Sequence, residues 1–359
     1  MPVMRVKFGP QHPISGHLCL ALDVDGDVVV NIEPDIGYTH RGLEKIAENR
    51  NYVQAVPPLE RANIVDSVHM VLGYVEAVEE LMGVEVPERA KFIRVIMAEM
   101  SRIASHLYWL CLMAVAVGLE TMLMWPINDR ELLLDLFEMY TGARITHSFF
   151  IPGGVRRDLP QGFKEQTFRA LSYLEQRLGD YDRMLYQSYT FKIRTQGVGK
   201  LKPQEAIKLG LVGPSIRGSG VKVDVRKDEP YAAYDQLEFT VPTGKVGDSY
   251  DRSVVRLREM EQSISLIRQA LERLPSGPIK APAPSSAPKG ETYSRVESAR
   301  GELGYYLVGD GTTRPYRLKI SSPSFRNLPA MGYLSKNVPF ADIPVILWSL
   351  DLWPLDMDR

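Results

Sequence analysis

Hydrophobic residues recur at helical spacing through most of the chain between residues 40 and 275. The first periodic segment follows Pro57-Pro58 and places apolar side chains on one helix face, at Ile64, Val68, Val71, Leu72, Val75, Val78 and Leu81. A second helix is predicted to begin at Pro87, since proline is favoured in the first turn. Its apolar stripe runs through Ile93, Ile96, Met97, Met100, Ile103 and Leu107.

Three further helices are predicted from the same periodicity. One follows Pro126, one spans about 160–187, and the third, VVRLREMEQSISLIRQALERL, ends before Pro275. Many glycines and β-branched residues lie between the last two helices, so residues 195–250 are expected to be irregular.

Both ends of the chain have the pattern of β-strands. LCLALDVDGDVVVNIEP near the N-terminus alternates apolar and polar residues around an Asp-Gly-Asp turn at 25–27, which indicates a hairpin. Near the C-terminus, GYYLVGD and YRLKIS are strand-like. The segment SGPIKAPAPSSAPKG (276–290) is rich in Pro, Ser and Ala and is expected to be a mobile surface connector.

These patterns predict an α+β fold in which a mainly helical core is flanked by N-terminal and C-terminal β layers. Four parts are expected: a β hairpin with its loop (1–40), the helical core (41–275), the connector (276–290) and a β-rich C-terminal segment (291–359).

Composition excludes several classes of function. The 43 basic and 44 acidic residues give a net charge of −1, which provides no electrostatic reason to expect nucleic acid as a partner. Cys19 and Cys111 are far apart, so they form neither a Cys-x-x-Cys metal site nor a disulfide framework, and a reducing compartment is expected. The longest apolar run, from Leu107 to Leu119, has 13 residues and is too short to span a membrane. We therefore expect a water-soluble chain, without a secretion signal, whose contact with a membrane is made through partners.

Standard catalytic motifs do not explain the chain, which has no Walker loop, no HExxH and no G-x-S-x-G. The glycine-rich GPSIRGSG lacks the strand–turn–helix context of a dinucleotide site. Ten other blocks, however, resemble the successive signatures of the 49-kDa-type subunit of complex I, the NADH-quinone oxidoreductase. In order they are GPQHP (9–13), YTHRGLEKIAENR (38–50), ERA (60–62), PERAKFIRVIMAEMSRIASHL (87–107), DRELLLDLFEMYTGAR (129–144), GGVRRDLP (153–160), SGVKVDVRKDEPY (219–231), ESARGELGYYLVGDG (297–311), PYRLKISSPSF (315–325) and DMDR (356–359).

The resemblance covers nearly the whole chain and extends to the large subunit of membrane-bound nickel–iron hydrogenases. Within the family, the sequence looks most similar to the archaeal deazaflavin-oxidising type and to a sulfane-sulfur reductase. The resemblance implies a peripheral redox subunit on the cytoplasmic face of the cell membrane, in an ion-translocating complex. Its implied partners are a small subunit that carries a 4Fe-4S cluster, other peripheral-arm subunits and antiporter-like membrane subunits.

No cofactor is expected on this chain itself, and its implied role is to form the site where electrons from the partner's cluster reach a quinone-like carrier. Hydrogenases of this lineage hold nickel with four thiolates. The matching positions here are Asn63, Asp66, Trp353 and Asp356, so nickel chemistry is not expected. A hard-cation site between the two aspartates is an alternative.

The acceptor remains open between two chemistries and a third possibility without catalysis. The family's quinone-binding histidine and tyrosine match Gly16 and Ile64 here, although His17 follows directly and can substitute for the histidine. Loss of these contacts favours polysulfide or sulfane sulfur as the alternative acceptor. The other alternative is a structural scaffold without an acceptor, which a collapsed apolar pocket near Arg61 would support.

Two arginines match family residues near the partner's cluster, namely Arg61 and Arg144. A fixed cation there stabilises the added electron. For Arg61 the alternative is an ordinary capping residue.

Proton donors are the remaining candidates. His12 lies in the loop that resembles the acceptor cavity, and His147 lies beside the family's cluster-proximal histidine position, which is Thr146 here. A turn histidine and a core histidine are the respective structural alternatives. Polar residues on apolar helices match the start of the family's proton path or else pair with one another; they are Glu44, Glu99, Arg102, His106 and Asp135.

Overall fold

The computed structural model describes residues 3–12 and 16–359. Pro13, the last residue of the first signature, lies outside them. The predicted N-terminal hairpin is confirmed: β2 (Cys19–Asp25) pairs antiparallel with β3 (Val28–Asp35). The sheet also contains β1 (Met4–Phe8) and, on its other edge, the short strand that we label β9 (Val338–Pro339), in the order β1-β2-β3-β9.

The helical core is confirmed, with one break that periodicity did not reveal. After α1 (Leu43–Glu48), the segment that follows Pro57-Pro58 divides into α2 (Val56–Glu60) and α3 (Ser67–Met82). Residues 61–66 between them are not helical. They carry Arg61 together with Asn63 and Asp66, two of the four positions that the resemblance matches to hydrogenase thiolates. We call these four the former thiolate positions, and the break in the helix therefore supplies part of the candidate site.

The longest helix, α4 (Glu88–Ala116), begins directly after Pro87 and is buried along most of its length. It packs against α3, against α5 (Met124–Thr141) and against the helix over Ser249–Glu272, which is α11 in chain order. The helix predicted over 160–187 is α6 (Phe163–Tyr181), which continues into a π-helical turn at Asp182–Tyr186. Among the described residues, no helix has the length and apolarity needed to cross a bilayer.

Short elements organise the irregular regions. They are β4 (Phe150–Ile151), β5 (Gly154–Val155), α7 (Tyr189–Thr195), α8 (Pro203–Lys208), α9 (Pro214–Gly218) and α10 (Val225–Asp228). The connector 276–290 differs from the expected mobile loop, because backbone hydrogen bonds tie it to the β4–β5 hairpin. Val155 N donates to Ile279 O over 3.0 Å, and Ala281 N donates to Gly153 O over 2.8 Å.

The C-terminal segment is β-rich only in its first half. β6 (Lys289–Ser298), β7 (Gly301–Asp310) and β8 (Pro315–Ser321) form an antiparallel meander that packs on α3. The chain then turns helical, as α12 (Pro323–Leu334), α13 (Ile343–Leu350) and α14 (Pro354–Met357). These helices share a second hydrophobic core with the N-terminal sheet, so the two ends of the chain pack together.

Close backbone contact explains one glycine of the GPSIRGSG segment. Gly213 has φ of 66°, and a Cβ there would lie 2.4 Å from Arg300 O. Gly301 meets Gly213 from the other side, since its own Cβ would lie 2.6 Å from Gly213 N. The pair lets α9 pack directly on the β6–β7 turn that contains Arg300.

We predict that Gly213→Ala destabilises the fold by roughly 3 kcal/mol, from left-handed strain plus a steric clash. Gly210→Ala is the matched control, because Gly210 also has positive φ, 71°, but no heavy atom lies within 4 Å of its added Cβ. The control should lose only about 1 kcal/mol. Urea denaturation measures both values, and equal losses would show that the contact with Arg300 is unimportant.

Candidate functional site at the former metal pocket

The four former thiolate positions lie close together in the fold. Asn63 and Asp66 lie in the break between α2 and α3, while Trp353 and Asp356 lie at the start of α14. The two segments touch where Asn63 Nδ2 donates to Asp356 Oδ2 over 3.4 Å. Asn63, Asp66 and Asp356 are fully buried.

A positive side chain, Arg300, lies within this pocket. Its Nη2 atom lies 3.2 Å from Asp351 Oδ1, and its Nη1 atom donates to Ser105 Oγ over 3.2 Å. The guanidinium also lies over the Trp353 ring, 5.5 Å from the ring centroid. Arg300 therefore supplies a fixed positive charge in the pocket, and its field acts on both Asp66 and Asp356.

Asp66 is held as a charged carboxylate by three hydrogen-bond donors. They are His69 Nδ1 at 2.5 Å, Ser101 Oγ at 3.1 Å and the backbone N–H of Ala299 at 2.9 Å. Burial opposes ionisation, but these donors and the charge of Arg300 lower the pKa of Asp66 below its ordinary value.

The pKa of Asp356 shifts in the opposite direction to that of Asp66. Burial raises its pKa from 3.8 to about 7, and the charge of Asp351 adds to the shift, although Arg300 and the hydrogen bonds with Ser324 and Asn63 act against it. Its Oδ1 atom has no hydrogen-bond partner among the described residues. The protonated form of this carboxyl is therefore favoured far more than in an exposed aspartate.

The surroundings of the two aspartates are unfavourable for a cation. Asp66 is occupied by its three donors, and Arg300 repels a second cation. Among the residues that the structure describes, no group of three or more His, Cys, Asp or Glu side chains is placed to hold a metal ion. The hard-cation alternative therefore gains no support from the geometry.

A second part of the site lies on the other side of Arg61, around Glu60. The buried Glu60 carboxylate accepts hydrogen bonds from Ser148 N, at 2.9 and 2.8 Å, and from Ser148 Oγ at 2.8 Å. Thr146 and Ser148 both have positive φ, 58° and 43°, so the loop turns its N–H groups toward the carboxylate. Glu60 thereby ties the His147 loop to the segment that carries Arg61, and we call these hydrogen bonds between Glu60 and Ser148 the Glu60 clamp.

His147 is half-buried and neutral at physiological pH. Its ring stacks on Phe137 with 4.5 Å between centroids, and its Nδ1 lies 3.0 Å from Ala143 O. Since a carbonyl only accepts, Nδ1 carries the hydrogen and Nε2 keeps a lone pair. Burial lowers the pKa of His147 to about 4. A small cavity of about 10 Å³, the size of one water, lies between this loop, Glu60 and Met97.

The two candidate cluster-proximal arginines differ in their surroundings. Arg61 is exposed, and its Nη1 atom donates to Pro57 O over 2.7 Å at the end of α2. Arg144 pairs with three carboxylates of its own surface: Glu131, Asp135 at 2.6 Å and Glu138 at 3.3 Å. The structure thus places Arg61 beside the Glu60 clamp, whereas the charge of Arg144 is already compensated.

The remaining candidates lie apart from the pocket. His12 packs its ring on Phe8, 4.0 Å between centroids, and His17 is exposed. Glu44 accepts from the backbone N–H of Ile320 at 3.0 Å and lies 3.4 Å from Arg359 Nε, so it fastens β8 and the C-terminus to α1. In the described residues Glu44 is part of a surface ion-pair cluster rather than of a buried path.

Sequence reasoning identified only part of a buried ionic network, through the alternative that Glu99, Arg102 and His106 pair with other side chains. Glu99 on α4 accepts from Arg102, at 3.2 Å, and from Arg226 of the irregular region, at 3.1 Å. Arg217 joins Glu259 and Glu297, and Glu259 contacts His106 Nε2 at 3.0 Å. Acidic and basic residues on an apolar stripe indicated part of this network, but nothing in the sequence showed that Arg217 and Arg226 complete it.

Comparison with known proteins identifies the family of the chain. A family model described as the respiratory-chain NADH dehydrogenase, 49 Kd subunit, matches residues 116–287 and 283–359. The chain belongs to this family. An NADH-quinone oxidoreductase subunit of Carboxydothermus hydrogenoformans is 44% identical over 358 residues, 99% of this chain and 98% of that one. The corresponding NADH-quinone oxidoreductase subunit of Geotalea uraniireducens is 40% identical over 385 aligned positions, with 99% of both chains covered.

A solved structure matches the whole fold of this member of the 49-kDa family. It is a chain of the membrane-bound sulfane sulfur reductase, an archaeal respiratory membrane complex, with a TM-score of 0.96 and 37% identity. The match covers 99% of this chain and 98% of that one. The resemblance noted in the sequence is thus confirmed, and so is the α+β fold.

We predict that Asp356→Asn changes how stability depends on pH. Between its ordinary pKa of 3.8 and its folded pKa of about 7, the wild-type unfolded state releases a proton that the folded state keeps, so stability falls as pH rises. The asparagine side chain of the variant does not titrate, so the variant does not lose stability in this way as pH rises. From pH 5 to pH 8 the unfolding free energy of the variant should gain about 2 kcal/mol on the wild type. Asp27→Asn, at an exposed turn, is the control, and a variant curve parallel to the wild type would contradict the assignment.

We predict that Glu60→Gln loosens the His147 loop, because the amide cannot accept every bond that Ser148 donates. The expected loss of stability is about 2 kcal/mol. The pKa of His147 should rise from about 4 toward its ordinary value as the ring becomes hydrated. Ser148→Ala is the matched control, since it removes one donor and keeps the backbone N–H. Histidine resonances followed by NMR give the pKa, and an unchanged value in Glu60→Gln would dismiss the clamp.

Proposed function

We propose that this complex I-type subunit forms the wall of an electron-transfer site facing a 4Fe-4S-carrying partner, on the cytoplasmic side of the membrane. The observation that carries the proposal is the Glu60 clamp, which holds exposed Arg61 and the His147 loop together. Ile64 and Ile145 are also exposed and lie within three residues of Arg61 and His147 in sequence, and we infer that they offer apolar contact to a partner.

The chain's own residues do not fit a cluster within it. Cys19 and Cys111 are both buried, and they lie on β2 and α4. A 4Fe-4S cluster needs four such ligands in most proteins. The cluster is therefore proposed to belong to the neighbouring small subunit, where it supplies electrons. This chain contributes a fixed cation at Arg61 and, at His147, a neutral ring with a free Nε2 lone pair.

For the acceptor we propose a low-potential quinone-like carrier, with sulfane sulfur as the second candidate. A quinone headgroup needs polar contacts at both oxygens as charge develops on them. Ile64 offers an apolar side chain and Gly16 offers none, while the former metal pocket is filled by Arg300. The match to the sulfane sulfur reductase supports the sulfur alternative.

We predict that Arg61→Met in the intact complex lowers the midpoint potential of the partner's cluster, because an approaching electron loses a stabilising cation. Arg144→Met is the control and should leave the potential unchanged, since three carboxylates already neutralise Arg144. A redox titration followed by electron paramagnetic resonance measures both. An unchanged potential in Arg61→Met would reduce Arg61 to a capping residue.

The same preparations distinguish the acceptors. Steady-state turnover is compared for a ubiquinone analogue, a menaquinone or phenazine analogue, and polysulfide. Slow ubiquinone reduction and faster reaction with one of the other two are expected. Fast, inhibitor-sensitive ubiquinone reduction would show that the substitutions at 16 and 64 do not govern acceptor choice, and turnover with none of the three would favour a scaffold.

A further inference from the structure

An outward-facing apolar surface lies on the π-helical turn and on α7. Tyr189 and Ile193 are four residues apart on α7 and share one helix face, with exposed fractions of 77% and 57%. Met184 in the preceding turn is 48% exposed. We call the surface of these three residues the α7 face. None of these three side chains belongs to either hydrophobic core.

The opposite side of the same helix is firmly anchored. Phe191 is buried against Tyr186 and Tyr250, with ring centroids 5.1 and 6.1 Å apart. Ser188 Oγ caps the helix by accepting from Phe191 N, and Arg194 binds Asp342 over 2.9 Å. The apolar side chains are therefore presented by a fixed element, and their exposure does not result from a loose loop.

The surroundings of the α7 face are basic in a chain that is nearly neutral overall. Residues 180–208, which include the whole π-helical turn, contain six basic side chains and three acidic ones, namely Arg183, Lys192, Arg194, Lys200, Lys202 and Lys208 against Asp180, Asp182 and Glu205. The two arginines are neutralised by Asp180 and Asp342. Lys192 reaches the amide of Gln187 rather than a carboxylate, and Lys200 is exposed just after the helix.

We propose that the α7 face rests on an anionic lipid surface. Exposed apolar tips beside tyrosine and uncompensated lysines are the combination that binds at the headgroup level of a bilayer, where apolar atoms enter the interface and ammonium groups meet phosphate. A basic protein partner is disfavoured by the lysines. An acidic protein partner would meet the same lysines and apolar side chains, and the experiment below distinguishes it from lipid.

The contact is an auxiliary attachment that is independent of the proposed electron-transfer role. A short helix with three apolar tips binds weakly alone, and such contacts gain strength when other parts of a complex already hold the protein at the membrane. It would set the height and tilt of this subunit over the bilayer.

Flotation of the full-length chain with lipid vesicles tests the proposal. Vesicles of phosphatidylcholine alone are compared with an equal mixture of phosphatidylcholine and phosphatidylglycerol. The wild type should float with the mixture, weakly with phosphatidylcholine, and less as salt is raised. Lys192→Gln with Lys200→Gln, and separately Tyr189→Ser with Ile193→Ser, should each reduce binding to the mixture about tenfold.

Tyr316→Ser is the matched control, because Tyr316 is 70% exposed but lies on β8. It should float like the wild type, and thermal unfolding confirms that each variant is folded. The lysine pair decides the question if the apolar pair does not fold. Equal flotation with both vesicle types, or wild-type flotation of the lysine variant, would overturn the proposal. Loss of the variants from the purified complex without any lipid binding would also overturn it, in favour of an acidic protein partner.

Discussion

The burial of Arg300 between the former thiolate positions is the constraint on which the site depends. A guanidinium removed from water needs compensating charge and hydrogen bonds, and here Asp351 and Ser105 contact it directly while Trp353 covers one face. Asp351 itself adopts a left-handed backbone, φ 55°, at the end of α13. The C-terminal helices are therefore positioned by the ion pair as well as by their own apolar packing.

The same requirement organises the irregular region between α7 and α11. Arg217 and Arg226 carry no shared periodicity, yet both are buried because Glu259, Glu297 and Glu99 lie on neighbouring elements and pair with them. Removing a single member leaves an uncompensated buried charge, which costs several kcal/mol. Residues 195–250 thus hold a defined shape with little regular secondary structure, since their polar contacts replace the hydrogen-bond ladders of helices and sheets.

Local periodicity was sufficient to predict the N-terminal hairpin and α4, because in each of them the hydrophobic pattern of its own residues sets the buried face. It failed at 61–66, where Ile64 continues the apolar stripe of α3 but is itself exposed in a segment that is not helical. The missing signal there is tertiary: Asn63 and Asp66 bond to partners about 290 and 230 residues away in sequence, Asp356 and Ala299. Aligned signatures located the pocket residues, but Arg300 lies inside one of those signatures without any sign of which carboxylates it would meet.

Asp66 and Asp356 both occupy former thiolate positions, yet the pKa of Asp66 is lowered and the pKa of Asp356 is raised. Asp66 has three donors and remains charged, whereas Asp356 has only the 3.4 Å contact from Asn63 and a hydrogen bond with Ser324 to offset its burial. Burial is the largest cause of the raised pKa of Asp356, so its neutral form is favoured even though Arg300 attracts the charged form. Asn63 lies two residues from Arg61 and contacts Asp356. In the proposed function, an electron that arrives beside Arg61 therefore further favours the protonated form of Asp356 through its electrostatic field.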